Sequence, residues 1–261
     1  MNGGSLADAY SRTGAAWDAG PSRIYDRLSD ELVAMVPGGV AGDVLDLGAG
    51  TGAASRAAAA AGAARIVAID LAPGLLAVNA AGRPPAVVGD ARVLPFRERA
   101  FDAVVAAFSI NHVPDPAVAL AEAARVLRPG GGLAVSAYAI DDTHPVKEIV
   151  REACAARGWI APDWYRGVQR DAVPLLATPD RALAEAHAVL AGARAETVRV
   201  AFPELDGRAL VAWRLGMAHV APFVDSLDEA ERRRLVDQAV ERVGDVPLVR
   251  SMVVLTWEKP A

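Results

Sequence analysis

Asp43-Val44-Leu45-Asp46-Leu47-Gly48-Ala49-Gly50-Thr51-Gly52 runs from a short aliphatic strand into a turn with glycine at every second position, and an alanine-rich helical stretch follows at 53–61. Glycine permits the tight turn and lets backbone approach a flat ligand where a Cβ would hold it off. A glycine-rich strand–turn–helix serves nucleotide sites of several kinds, so the spacing has to narrow the choice. This one is G-x-G-x-G, which differs from the G-x-G-x-x-G dinucleotide fingerprint and lacks the Gly-Lys-Ser/Thr of a phosphate loop. With no Lys or Arg in the turn, a ligand without phosphates fits best.

Downstream of the turn the pattern repeats. Apolar runs at 65–69, 86–88, 101–108 and 133–138 alternate with amphipathic or Ala-rich stretches such as 117–127. Continuous apolar strands are buried on both faces, and strand–helix alternation implies right-handed crossovers and a parallel sheet. The second run ends in Asp70, twenty-two residues after Gly48, and the third ends in Gly89-Asp90-Ala91. A carboxylate at the end of the second strand accepts ribose hydroxyls, a feature shared with NAD sites. Asp90 is placed to accept a hydrogen bond from an adenine amino group. Two acidic residues at successive strand ends suit a neutral adenosine carrying a cationic sulfonium.

Together VLDLGAGTG, IVAID, GDARVLPF, FDAVVAAFSINHV and RVLRPGGGLAV resemble, in order, the motifs of class I S-adenosylmethionine (SAM)-dependent methyltransferases, and within them the small-molecule ubiquinone/menaquinone-type group. The resemblance is close over about residues 40–140 and loose in the flanks. It implies SAM as cofactor on a Rossmann-like α/β fold, a mostly parallel seven-stranded sheet with helices on both faces and a helical cap. It also implies roles. Asp46, Gly48, Ala49, Gly50 and Gly52 line the methionine and ribose end; Asp70 and Leu71 hold the ribose and one adenine face; Asp90 and Ala91 meet the adenine; Ala107 and Phe108 offer backbone to the methionine amine. An N-terminal helix closes over the cofactor, with Tyr10, Trp17 and Tyr25 as the available aromatics, for which core packing is the competing role.

The domain expectation is a single SAM-dependent methyltransferase domain over 1–261, with an N-terminal helical lid (1–37), a cofactor-binding core (40–140) and helical cap insertions at 141–193 and 203–246. Two strands, 197–202 and 249–257, complete the sheet, and an aromatic loop with Trp159, Trp164 and Tyr165 lies between helical stretches 145–157 and 179–191.

Methyl transfer from a sulfonium needs an enzymatic base only when the acceptor must lose a proton. His112 follows the fourth strand at the ligand edge, beside Asn111. His144 lies at the lip of the fifth strand, and His219 follows Trp213, Arg214 and Met217 on the cap. All three histidines are candidates, and none stands out. Between Asp26 and Ala137 there is neither Trp nor Tyr. Aromatics concentrated at the N-terminus and cap suit a hydrophobic or aromatic acceptor, or else simply join cap to sheet.

Bulk properties agree. Net charge is −5 with a pI of about 5.4, so no basic field for nucleic acid is present. The single cysteine, Cys154, excludes an intramolecular disulfide and a Cys-based metal cluster. No signal peptide and no 18-residue apolar stretch is visible, so the expectation is a cytoplasmic protein acting on a small molecule away from membranes. An NAD-dependent oxidoreductase fits the glycine spacing poorly. A protein that binds SAM without transferring a methyl group, as a ligand-binding module or a cyclase, has the same motifs and stays open.

Overall fold

Strand β1 (Asp43–Leu47) is buried along nearly its whole length, as its unbroken aliphatic run requires. Around it the computed structural model, which describes residues 6–78 and 80–261, builds a seven-stranded sheet. In chain order the elements are α1 (Leu6–Ser11), α2 (Gly14–Ala19), α3 (Ser22–Ala34), β1, α4 (Ala53–Ala60), β2 (Arg65–Asp70), α5 (Pro73–Ala77), β3 (Ala86–Val88), β4 (Phe101–Ala107), α6 (Pro116–Val126), β5 (Leu127–Tyr138), α7 (Pro145–Ala155), α8 (Asp163–Asp171), α9 (Pro179–Ala186), β6 (Arg194–Phe202), α10 (Gly207–Leu215), α11 (Ala221–Ser226), α12 (Glu229–Val243) and β7 (Leu248–Glu258). The first five residues of the N-terminal lid segment lie outside the described residues.

The strand order is β3-β2-β1-β4-β5-β7-β6, all parallel except β7, which runs antiparallel to both neighbours. The order reverses between β1 and β4, and the crevice at the carboxyl ends of those strands is where an open α/β sheet takes its ligand. Val44 packs with α3 and α4 on one face, while Leu45 and Leu47 join Leu120 and Ala123 of α6 on the other. The same first face carries α7, α10 and α12, whose Val150, Leu210 and Leu235 pack with Phe202 and Leu248. Those two residues pair where β6 and β7 run on beyond Tyr138, the last residue of β5. The helices of 145–155 and 207–243 therefore thicken one layer of the sandwich as well as rising past the ligand edge.

Three local expectations change. The aromatic loop contains a helix, α8, hidden from periodicity by flanking prolines, an interior Gly167 and four charged residues in nine. The stretch 206–221 divides into α10 and α11 at a turn beginning with Gly216. Strand β5 starts at Leu127, six residues earlier than its aliphatic run, with a register shift at the Gly-rich segment before Gly132.

Candidate functional site

The turn after β1 is held by the neighbouring strand. The N–H groups of Gly48 and Ala49 both donate to the Ile69 carbonyl at 2.8 and 3.0 Å, and the Gly50 N–H donates to Asp70 Oδ2 at 2.8 Å. Gly48 has φ +75°, in the left-handed region, and a Cβ there would lie 2.2 Å from Ser109 Cβ. The glycine is thus demanded first by the approach of the β4 end, whose Ser109 Oγ donates to the Leu47 carbonyl at 2.6 Å. That contact between β1 and the segment after β4 gave no sign in the sequence.

Over this turn lies a cavity of about 410 Å³, within the range of small-molecule and cofactor sites. Tyr10, Trp17, Tyr25, Asp46, Gly48, Ala49, Gly50, Asp70, Leu71, Asp90, Ala91, Ala107, Phe108 and His112 line it. Of the residues expected at the cofactor, Gly52 does not reach it. With φ +92° it caps α4 and borders a wider groove, about 830 Å³, on the outer side of α4 and β2. That groove has no acidic lining and sits away from the strand-end carboxylates, so it is the smaller cavity that carries the chemistry.

Four charged side chains line the small cavity: Asp46, Asp70, Asp90 and Arg92. Asp90 and Arg92 neutralise each other, with Nη2 2.6 Å from Oδ2 and the Arg92 N–H donating to Oδ1 at 2.9 Å. Arg92, unremarked in the sequence, therefore closes the adenine end with its partner. Asp70 is half-buried and held by the N–H groups of Gly50 and Ala72 on its two oxygens, each 2.8 Å. Burial raises its pKa against those two donors. Asp46 is 1% exposed; Ser55 Oγ donates to Oδ2 at 2.6 Å, while Oδ1 has no partner among the described residues. Burial lifts its pKa from 3.8 to about 6, opposed by Ser55, with Asp70 adding to the rise. Two deeply set carboxylates with no unpaired cation in the lining make a site for a positively charged ligand.

This yields a pH-dependent prediction. A carboxyl whose folded pKa is raised stabilises the fold when protonated, fully below pH 4, and loses that contribution as pH rises through about 6. Two units correspond to about 3 kcal/mol. The ligand-free Asp46→Asn protein should gain several degrees in melting temperature over wild type at pH 8 relative to the difference at pH 4. A pH-independent offset in thermal melts rejects this.

An aromatic lid closes the cavity. Tyr10 stands 5.8 Å from Trp17, 5.7 Å from His112 and 6.0 Å from Trp164 of α8, ring centre to ring centre. Trp17 and Tyr25 are 4.9 Å apart. The lid is anchored where Gly74 of α5 meets the chain after α1, since a Cβ on Gly74 would lie 1.9 Å from the Ser11 carbonyl oxygen. Phe108 adopts φ +52°, a conformation costing a non-glycine residue about 1–2 kcal/mol. It turns the end of β4 inward so that its ring packs 4.4 Å from Tyr138 and 5.3 Å from Tyr25.

The three candidate histidines separate. His112 lines the cavity; its buried Nδ1 has no partner among the described residues, and burial lowers its pKa to about 4. It is neutral at pH 7, and its burial makes it a weak base. His144 is outside the lining, where Nδ1 accepts the Val146 N–H at 3.2 Å and caps α7. His219, also outside, is buried in the cap, stacked at 3.7 Å and 3° on Tyr165. Burial, then Arg214 and His112, lower its pKa to about 3. Asn111 is buried beside His112 and does not line the cavity.

Comparison with known proteins places this geometry. The family described as "Methyltransferase domain" matches residues 45–135. The chain is 38% identical over 149 residues to the demethylmenaquinone methyltransferase of Renibacterium salmoninarum, covering 56% of this chain and 61% of that enzyme. It is 41% identical over 133 residues to the demethylmenaquinone methyltransferase of Mycolicibacterium gilvum, 51% of this chain and 57% of that one. The matches thus span less than two thirds of the length of these curated relatives. The YcgJ protein of Bacillus subtilis has the same fold, with a TM-score of 0.54 at 16% identity over 92% of this chain and 99% of that one. No helix among the described residues is long and apolar enough to cross a membrane. Through its core, residues 45–135, the chain is thus similar to class I SAM-dependent methyltransferases.

Proposed function

We propose that the protein is an enzyme that binds SAM in the 410 Å³ cavity and transfers its methyl group to a small aromatic, quinone-like acceptor. The observation that carries this reading is the pair of carboxylates, buried Asp46 and half-buried Asp70, beside a glycine turn with no unpaired cation. The unpartnered Asp46 Oδ1 suits a cationic ligand, and the Asp90–Arg92 pair leaves no free positive charge for phosphates. The two curated relatives, both demethylmenaquinone methyltransferases, support a quinone-like acceptor. A bound sulfonium supplies an electrophilic methyl group.

This chain's residues then act in three ways. Asp70 accepts the ribose hydroxyls with the lone pairs left free by Gly50 and Ala72, and Asp46 offsets the positive charge. Gly48, Ala49, Gly50, Ala107 and Phe108 supply backbone around the methionine end, with Leu71, Asp90 and Ala91 around the adenine. Tyr10, Trp17 and Tyr25 exclude water, which strengthens each electrostatic contact within. His112 takes the acceptor's proton on its unpartnered Nδ1 when the acceptor is protonated.

Methyl-labelled SAM incubated with phenols, naphthols and amines tests the reading; label in at least one product supports it. Binding of SAM by calorimetry without transfer to any acceptor would favour a SAM-binding module or cyclase. Asp70→Ala should weaken SAM binding at least tenfold, the loss of a charged hydrogen-bond acceptor. Unchanged affinity in the folded variant rejects the ribose assignment.

A further inference from the structure

Next to Tyr25 the molecule buries positive charge. Arg250 of β7 is 1% exposed, with its guanidinium 4.0 Å from the Tyr138 ring centre and 4.4 Å from that of Trp213. Its Nε and Nη2 donate to Asp142 at 2.9 and 2.6 Å, and its Nη1 has no partner among the described residues. Lys147 shares the same carboxylate at 2.6 Å. Arg214 of α10 also lies over Trp213, 5.2 Å from its ring centre. Arg214 pairs with no carboxylate among the described residues, and its Nε is buried without a partner. Three cationic side chains therefore face one carboxylate.

The polar atoms left over share one character. Arg214 Nε, Arg250 Nη1 and Trp213 Nε1 are donors, all three buried and unpartnered, while Tyr138 Oη lies within hydrogen-bonding reach of Tyr25. Buried donors without acceptors are costly, and a cluster of them beside an unpaired guanidinium calls for an oxyanion. The cluster adjoins the cavity through Tyr25, which lines it and stands 6.1 Å from Tyr138. The electrostatic neighbours of Arg214 include Tyr165 of α8, Tyr25 and Tyr138, of which Tyr25 lines the cavity.

We propose that Arg214, with Arg250 Nη1, recognises an anionic oxygen group on the methyl acceptor, either a carboxylate or an ionised phenol or enol, and so selects acidic aromatic acceptors over neutral ones. This inference rests on the methyltransferase reading. The two charge zones adjoin Tyr25 in complementary fashion, carboxylates toward the cationic cofactor and guanidiniums toward the anionic acceptor. Bidentate geometry makes arginine the residue suited to a planar oxyanion. Arg250 is already half engaged by Asp142, so Arg214 carries the selectivity.

Calorimetric titration of the protein saturated with S-adenosylhomocysteine tests the proposal, using 2-naphthoate, its neutral amide, and 2-naphthol over a pH range spanning its ionisation. The carboxylate should bind at least tenfold more tightly than the amide, and Arg214→Met should abolish the difference without changing S-adenosylhomocysteine affinity. Arg214→Lys, which keeps the charge, should retain part of it and serves if the Met variant does not fold. Naphthol binding that tightens only on ionisation identifies a phenolate, and tighter naphthoate binding at all pH values a carboxylate. Equal affinity for naphthoate and amide, no naphthoate binding at millimolar concentration, or a preference that survives Arg214→Met overturns the proposal. Failure to bind S-adenosylhomocysteine at all would instead overturn the underlying methyltransferase reading.

Discussion

Replacing Asp142 with Ala should lower stability by about 3–5 kcal/mol, the cost of stranding a buried charge whose partner is removed. Asp142 is 6% exposed and ties two segments to its own loop: β7, through two hydrogen bonds from Arg250 and the Ser251 N–H at 2.9 Å, and α7, through the Lys147 side chain. Burial alone would raise its pKa, but Arg250 and Lys147 outweigh burial and hold it below the usual carboxylate range. A lowered folded pKa stabilises above the unfolded value, so wild type should lose this contribution as pH falls below about 4. In the Asp142→Ala variant Arg250 is left among Tyr138 and Trp213 with Lys147 nearby, and burial pulls the Lys147 pKa, already near 8 beside Arg250, further down. Urea unfolding at pH 7 measures the loss. Adding Arg250→Met should recover most of it, because an apolar replacement of the whole pair is close to neutral. A single-variant loss under about 1 kcal/mol would show that water reaches the cluster.

Gly48→Ala should cost about 2–5 kcal/mol and weaken SAM binding more than tenfold. The left-handed conformation at φ +75° contributes about 1–2 kcal/mol for any residue with a Cβ, and the collision 2.2 Å from Ser109 Cβ adds about 1–3 kcal/mol of overpacking. Ser109 cannot retreat freely, since its hydroxyl is bonded to the Leu47 carbonyl. The second variant Gly48→Ala/Ser109→Gly separates the two terms: it should recover the steric part and leave the conformational one. Full recovery would mean that the backbone conformation costs nothing. A Gly48→Ala loss below about 1 kcal/mol would mean that the turn adjusts, and the geometry that sets Gly50 on Asp70 would be softer than its hydrogen bonds imply.

The sequence by itself determined the sheet's parallel half and the carboxylates at its ligand edge. β1, β2 and β4 are short aliphatic runs whose burial on both faces follows from composition, and Asp46 and Asp70 sit at or beside their ends, so strand direction alone carries the carboxylates to one edge. Local turn chemistry did the same for Gly48, Gly50 and Gly52, although Gly52 turns the chain into α4 and does not meet the cavity.

Only the tertiary structure decided the buried cationic cluster. Asp142 and Arg250 meet because β7 inserts between β5 and β6, and Trp213, Arg214 and Tyr138 join them because α10 packs on that face; no periodicity encodes a contact across a hundred residues. The same long-range packing made His144 a helix cap and His219 a stacking partner in the cap, and left His112 alone of the three on the cavity. A strand end has one direction and places its side chains by local rules, whereas a histidine's partners, burial and charge are set by whatever the fold brings against it.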